Sequence, residues 1–257
     1  MSRAQTRRRP AADRGGRRPA MRNAFLIARR ELEAYFISPI AYVVTAAMLV
    51  VLGYFFSVIL FVTRQASLRP LFGGSALIVL LFVLPLLTMR LLAEEQRSGT
   101  IELLVTAPVR DGEIILGKYL ASLAFYLLML VPTLYYPVVL EVFGRPDWGP
   151  ILTTYLGIIL LGGSLLGVGT LASALTSNQI VAAVLGVGMA LLLWLIPSLA
   201  GFVSGPLADV LQYLGLSSHI ADFAKGIIDT RHVVYHLSVI AASLFLATRI
   251  LETRRWR

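Results

Sequence analysis

Residues 148–208 read WGPILTTYLGIILLGGSLLGVGTLASALTSNQIVAAVLGVGMALLLWLIPSLAGFVSGPLA, a run of 61 residues between Asp147 and Asp209 without one Asp, Glu, Lys or Arg. A helix that crosses the ~30 Å hydrocarbon core of a bilayer needs about 20 residues. The run is therefore too long for one span and long enough for two. The polar group Ser173, Thr176, Ser177, Asn178 and Gln179 divides it, which places spans at Ile151–Leu171 and Ile180–Leu199. Composition agrees: 57% of the chain is hydrophobic and 14% charged, where a soluble domain carries about 25% charged residues. Lipid has to cover much of such a surface, and an ordinary soluble enzyme is excluded.

Working outward, the charge-free intervals 34–63, 70–89, 119–140 and 232–248 hold one span each. These are Ile40–Val62, Leu71–Leu92 (its apolar stretch closing at Met89–Arg90), Tyr119–Leu140 and Val233–Ala247. The fold class is thus all-α, a polytopic membrane protein with six transmembrane helices. An even number puts both termini on one side. With the termini inside, inner segments carry 18 of the 23 Lys and Arg and outer segments carry 5; without the first 20 residues the inner count is still 11. By the positive-inside rule both ends face the cytoplasm.

The formal charge of +9 invites a nucleic-acid reading that its placement rejects. Eight arginines lie in residues 1–23 against Asp13, and Arg249, Arg254, Arg255 and Arg257 lie at the other end against Glu252. No aromatic residue accompanies the first group before Phe25, so base-reading chemistry is missing and lipid head groups or topology control suit the tails better. Residues 1–21 form a basic tail whose Arg, Ala, Pro and Gly lack apolar periodicity and predict disorder; 22–257 form the membrane domain. A signal peptide is excluded because Glu31 and Glu33 precede the apolar run and no cleavage pattern follows. A transit peptide and a start at Met21 both remain open. Between Arg22 and Ser38, Phe25, Ala28, Leu32, Tyr35 and Phe36 recur at helical spacing opposite Arg30 and Glu33. This predicts an amphipathic helix in the cytoplasmic interface, or else an inward extension of span one, with Pro39 as the break.

The longest inner loop, Arg90–Lys118, carries Glu94, Glu95, Arg97, Gly99, Thr100, Glu102, Leu103, Leu104 and Pro108. Thr100 is a plausible N-cap for a short helix with Ile101, Leu104 and Val105 on one face, ended by Pro108, and Asp111 caps the next helix. An apolar stripe between charged flanks is a docking surface; the plainer alternative is a loop packed on the membrane. Within it, Gly112 to Lys118 matches GxxxxGK, but Tyr119 stands where a phosphate loop needs Ser or Thr, and the segment leads into a span rather than following a strand.

Other chemistry is sparse. Zero cysteines exclude a disulfide scaffold, a thiolate metal site and a cysteine nucleophile. No span interior holds an ionisable Asp, Glu, Lys or Arg, which argues against a secondary carrier or a free-standing channel, the rival class. HExxH and GxSxG are absent, so an intramembrane enzyme lacks its constellation. His232 and His236 share a helix face; a zinc site needs more ligands, with His219 and Asp222 the nearby candidates, and interfacial histidines without metal are the expectation. Gly163, Gly167, Gly169, Ser173 and Ser177 make small-xxx-small steps for packing inside one subunit or between two. Pro85, Pro132, Pro137 and Pro197 should kink or end their helices. Between spans five and six, residues 217–229 read as an outer-face helix presenting Ile220, Phe223, Ala224 and Ile227, ending at Gly226.

Met89-Arg90, Glu94-Glu95, Arg97, Gly99-Thr100, Glu102-Leu103-Leu104, Thr106, Pro108 and Gly117-Lys118 together resemble the loop after span two of ABC-2 type transporter permeases. Glu31-Leu32, Tyr35-Phe36 and Ser38 to Tyr42, with His219, Phe223, Gly226, Ile228-Asp229 and Arg231, resemble its gliding-motility-associated branch. The similarity runs through roughly 21–257; the tail 1–20 has no counterpart in the pattern. The resemblance implies six spans, an interfacial N-terminal helix and a cytoplasmic coupling helix, Glu94 to Pro108, that docks on separate ABC ATPase subunits. It further implies a second permease copy, ATP and magnesium held by the ATPase with no cofactor on this chain, no catalysis by this chain, and a bacterial plasma membrane location as an exporter.

Overall fold

The computed structural model describes residues 20–100 and 109–254, and these are almost entirely helical. Helix α1 (Ala20–Ile37) is separated from α2 (Pro39–Thr63) by Ser38 alone. Pro39 takes the first helical position of α2, where its missing N–H costs nothing. A π-turn at Leu71–Ser75 leads into α3 (Ala76–Thr88), and Met89 separates α3 from α4 (Arg90–Ser98). Helix α5 (Asp111–Leu130) passes through a 3₁₀ turn at Val131–Leu134 into α6 (Tyr135–Phe143). Pro132 sits in that turn, as a residue that cannot continue the helix ladder. Then come α7 (Trp148–Leu175), α8 (Gln179–Leu199), α9 (Pro206–Leu214), α10 (Ala221–Ala224) and α11 (Thr230–Arg254).

Six segments are long and apolar enough to cross a membrane: Pro39–Thr63, Leu71–Ser98, Asp111–Phe143, Trp148–Leu175, Gln179–Phe202 and Thr230–Thr253. They coincide with the six expected spans, and most extend them by a few residues. Three details differ. Arg110, not Asp111, is the N-cap of α5, and the Glu113 carboxylate closes the turn by accepting from the Arg110 N–H at 3.3 Å. Lys118, read as lying before span three, is two turns inside α5 and only 2% exposed. Residues 217–229 do not form one helix: a 3₁₀ turn at Leu216–His219 and the single turn α10 replace it.

Helix α7 is the hub of the bundle. Most of it is buried, against α3, α5, α8 and α11, whereas α2 and α8 leave their apolar faces largely open. Its glycines make the close approach possible. A Cβ on Gly162 would collide with the Tyr126 ring and one on Gly169 with the Thr88 hydroxyl. Gly163 and Gly167 let Ile240 and Ser243 of α11 come against the α7 backbone, so the small-residue ladder packs helices within one subunit. Several polar groups in this core find partners there: Tyr126 donates to the Ile158 carbonyl at 2.9 Å, and Ser164 and Thr170 bond back along α7.

Candidate functional site

Residues near both ends of the chain gather at one face of the bundle. Asn23 donates to Glu113 at 3.0 Å, joining the start of α1 to the start of α5. Leu92, Ile115, Leu171, Ala174, Ala247 and Leu251 form a small apolar cluster there, bringing together α4, α5, α7 and α11. This terminal face also carries the segment singled out as a docking loop.

At its centre is the break at Met89. Where α3 stops, the Ser173 hydroxyl of α7 accepts from Leu92 N at 3.0 Å and Ala93 N at 3.1 Å and donates to Met89 O at 3.0 Å. A broken helix leaves backbone groups that must find partners in a dry interior, and one serine supplies three. Leu91, Leu92 and Ala93 are fully buried, and Gln96 donates to Ala174 O at 3.1 Å. Helix α4 is therefore fixed to the hub along one side.

A second set of contacts fixes α4 to α1. Arg90 donates to Ser38 Oγ at 2.7 Å and to Ala34 O at 3.2 Å, with its guanidinium 5.0 Å above the Tyr35 ring. Tyr35 in turn stacks on Phe125 of α5 and donates to Leu87 O at 3.0 Å. Gly117 lets α1 lie directly on α5, since a Cβ there would press into Ala24 O and Ile27.

The third contact is ionic. The Lys118 ammonium lies 2.8 Å from Glu95 Oε1 and 3.3 Å from Glu31 Oε2, with the carboxylate side chains only about a fifth exposed. One lysine thus ties α1, α4 and α5 together. Breaking such a buried pair leaves an uncompensated charge, costing about 3–5 kcal/mol. The GxxxxGK match dissolves in the same observation, because residues 112–118 are helical and the lysine is committed to two carboxylates.

The docking residues named from sequence divide accordingly. Glu94 and Arg97 are exposed on the side of α4 away from the bundle, and Gly99 ends the helix at φ 73°, a left-handed cap that suits glycine. Thr100 is exposed, within 2.9 Å of Ser98 Oγ. Glu95 instead points inward to Lys118. Glu102, Leu103, Leu104 and Pro108, with the expected short helix, lie outside the described residues. Sequence reasoning missed Ser173 as a partner of the Met89 break and Lys118 as a centre. The only signal was that each is polar where its neighbours are apolar.

The arrangement holds α4 against α1, α5 and α7. A family model described as ABC-2 family transporter protein matches residues 63–220, from the end of α2 to the 3₁₀ turn before α10. No curated protein matches the chain.

Proposed function

The chain belongs to the ABC-2 transporter family and is a multi-pass membrane permease of an ABC transporter, and we propose that its terminal face is cytoplasmic and is where the ATPase subunits act. The observation that carries this reading is the two-sidedness of α4. One side is fastened to α1, α5 and α7 by Arg90, Glu95, Lys118 and Ser173, while the other exposes Glu94 and Arg97. A load applied to the exposed side reaches three other helices without slack. The coupling element runs from Glu94 through Arg97, Gly99, Thr100, Glu102, Leu103 and Leu104 to Pro108, and its charges set register on the partner.

In this reading ATP and magnesium reside on the ATPase, whose closure pushes α4 and tilts spans one, two and five between two arrangements. A second permease copy stands beside this one, where α2 and α8 present open apolar faces. The location is a bacterial plasma membrane, with the basic termini inside, and transport is outward.

The test removes the exposed charges and spares the buried ones. Glu94→Ala with Arg97→Ala should leave insertion and folding intact but abolish co-purification with the cognate ATPase or its stimulated hydrolysis. Truncating a desolvated charge pair at an interface costs about 2–5 kcal/mol. Full coupling in that double variant would return α4 to a purely structural role.

A further inference from the structure

The chain has three histidines, and the fold brings all of them together at the face opposite the termini. His219, from the 3₁₀ turn, is 2% exposed, His232 is 9% exposed, and His236 is fully buried. His219 Nδ1 lies 2.7 Å from His232 Nδ1. His219 Nε2 lies 2.8 Å from the Tyr213 carbonyl oxygen at the end of α9, and His232 Nε2 lies 3.0 Å from Asp222 Oδ2 of α10.

Counting hydrogens decides the charge. A carbonyl oxygen only accepts, so the Tyr213 contact needs a hydrogen on His219 Nε2. The nitrogen–nitrogen contact needs one hydrogen between the rings. The Asp222 contact needs one on His232 Nε2, because that carboxyl is ionised: Lys225, at 2.9 Å from Oδ1, and then His232 hold it below the usual carboxylate range. Three contacts require three ring hydrogens, and two neutral imidazoles supply two.

We propose that the His219–His232 pair is a proton-binding site, holding one proton more than two neutral imidazoles, and that this proton fastens the segment 206–224 to the last spanning helix. His219 is the neutral partner, donating from Nε2 and accepting at Nδ1; its burial pushes it below the usual imidazole range. His232 carries the charge and donates from both nitrogens. The groups facing the pair fit this assignment. Asp222, with Lys225 behind it, supplies the counter-charge from α10, and Tyr213 supplies its carbonyl from α9. Tyr235 stacks on His219 and donates to Leu214 O, while α7 contributes Ser164, bonded to His236 at 2.9 Å. Asp229 lies one turn before His232 and accepts from the Arg231 backbone.

The consequence is mechanical. Helix α9 has no buried residue of its own, whereas Leu216, Ile220 and Phe223 after it are buried and Ser217 donates to Trp194 O of α8 at 3.3 Å, so the segment is held mainly along its second half. Near its far end the Phe223 carbonyl accepts from Thr153 of the hub at 2.7 Å. When the pair loses its proton, one of the three contacts (to the Tyr213 carbonyl, to the Asp222 carboxylate or between the two Nδ1 atoms) is left with a lone pair facing an acceptor, and one fastening becomes repulsive. The segment between spans five and six then keeps its bonds at Ser217, Phe223 and Tyr235 and its buried Leu216 and Ile220, but loses one fastening to the last spanning helix. This proposal does not depend on ATPase docking.

The test uses the full chain in lipid nanodiscs with ¹⁵N-labelled histidine, where three rings give a readable spectrum. At about pH 7, where an ordinary histidine is mostly neutral, one ring should show both nitrogens protonated and a second a neutral Nε2–H tautomer. His232→Gln should remove the first pattern and His219→Gln the second. Hydrogen-exchange protection of amides 214–224, corrected for intrinsic rates, should fall at least tenfold as the charged ring titrates with rising pH. Three neutral rings at that pH, or protection that does not change as the rings titrate, overturns the proposal. The wild-type titration decides the matter even where a variant fails to fold.

Discussion

The two polar clusters of this permease do similar work with different chemistry. At the terminal face, Lys118 joins Glu31 and Glu95; at the opposite face, His219 and His232 join Asp222 and Tyr213. Each pins a segment at one end of the bundle onto its spans, α1 with α4 in one case and residues 206–224 in the other. The first is a lysine held between two carboxylates, a pairing that shares no extra proton, so it is a fixed joint. The second holds one proton more than two neutral imidazoles, so it is a joint that is released when that proton leaves.

The sharpest way to break the contrast is at Lys118. Lys118→Ala leaves two buried carboxylates unpaired and should destabilise the fold by about 3–5 kcal/mol, read as a large drop in thermal stability in detergent. Combining Lys118→Met with Glu31→Gln and Glu95→Gln should recover most of that loss, because neutral groups need no counter-charge. Failure of the rescue would mean that the pairing geometry, and not charge compensation, is what α4 requires.

Ser173→Ala comes next, at about 1–3 kcal/mol, the cost of stranding buried backbone groups. It should loosen amides of α4 while leaving 214–224 protected, which separates the two joints.

At the opposite face the effects are smaller and pH-dependent. Burial holds His219 below the usual imidazole range, so the fold prefers it neutral, and that contribution is lost as pH falls through the depressed value. With the alkaline loss of the shared proton, protection of 214–224 should be bell-shaped in pH. Asp222→Asn should narrow the bell from its alkaline side. Its effect on global stability should be below about 1 kcal/mol, since the Asp222 side chain is 36% exposed.

Much of this was legible in the sequence. The six spans were, because 61 charge-free residues and four shorter intervals admit no other cheap arrangement in lipid. The shared face of His232 and His236 was, and His219 and Asp222 were already their nearby candidates. The joints themselves were not. Lys118 finds its partners 87 and 23 residues away, and no local pattern distinguishes a lysine at a span end from one buried two turns into a helix. The break at Met89 was hidden for the same reason, since the serine that heals it lies 84 residues on. Glu94 and Glu95 read alike in sequence, and only the packing of α4 separates the exposed one from the paired one.

In the proposed arrangement the exposed side of α4 meets the ATPase. Because the chain has no cysteine, a single Glu94→Cys provides a unique handle for cross-linking to an ABC ATPase co-expressed with it. A cross-linked adduct is expected from Glu94→Cys, its yield changing with ATP, and none from Asp209→Cys on α9 at the opposite face. Capture of the ATPase from Asp209→Cys, with none from Glu94→Cys, would contradict it.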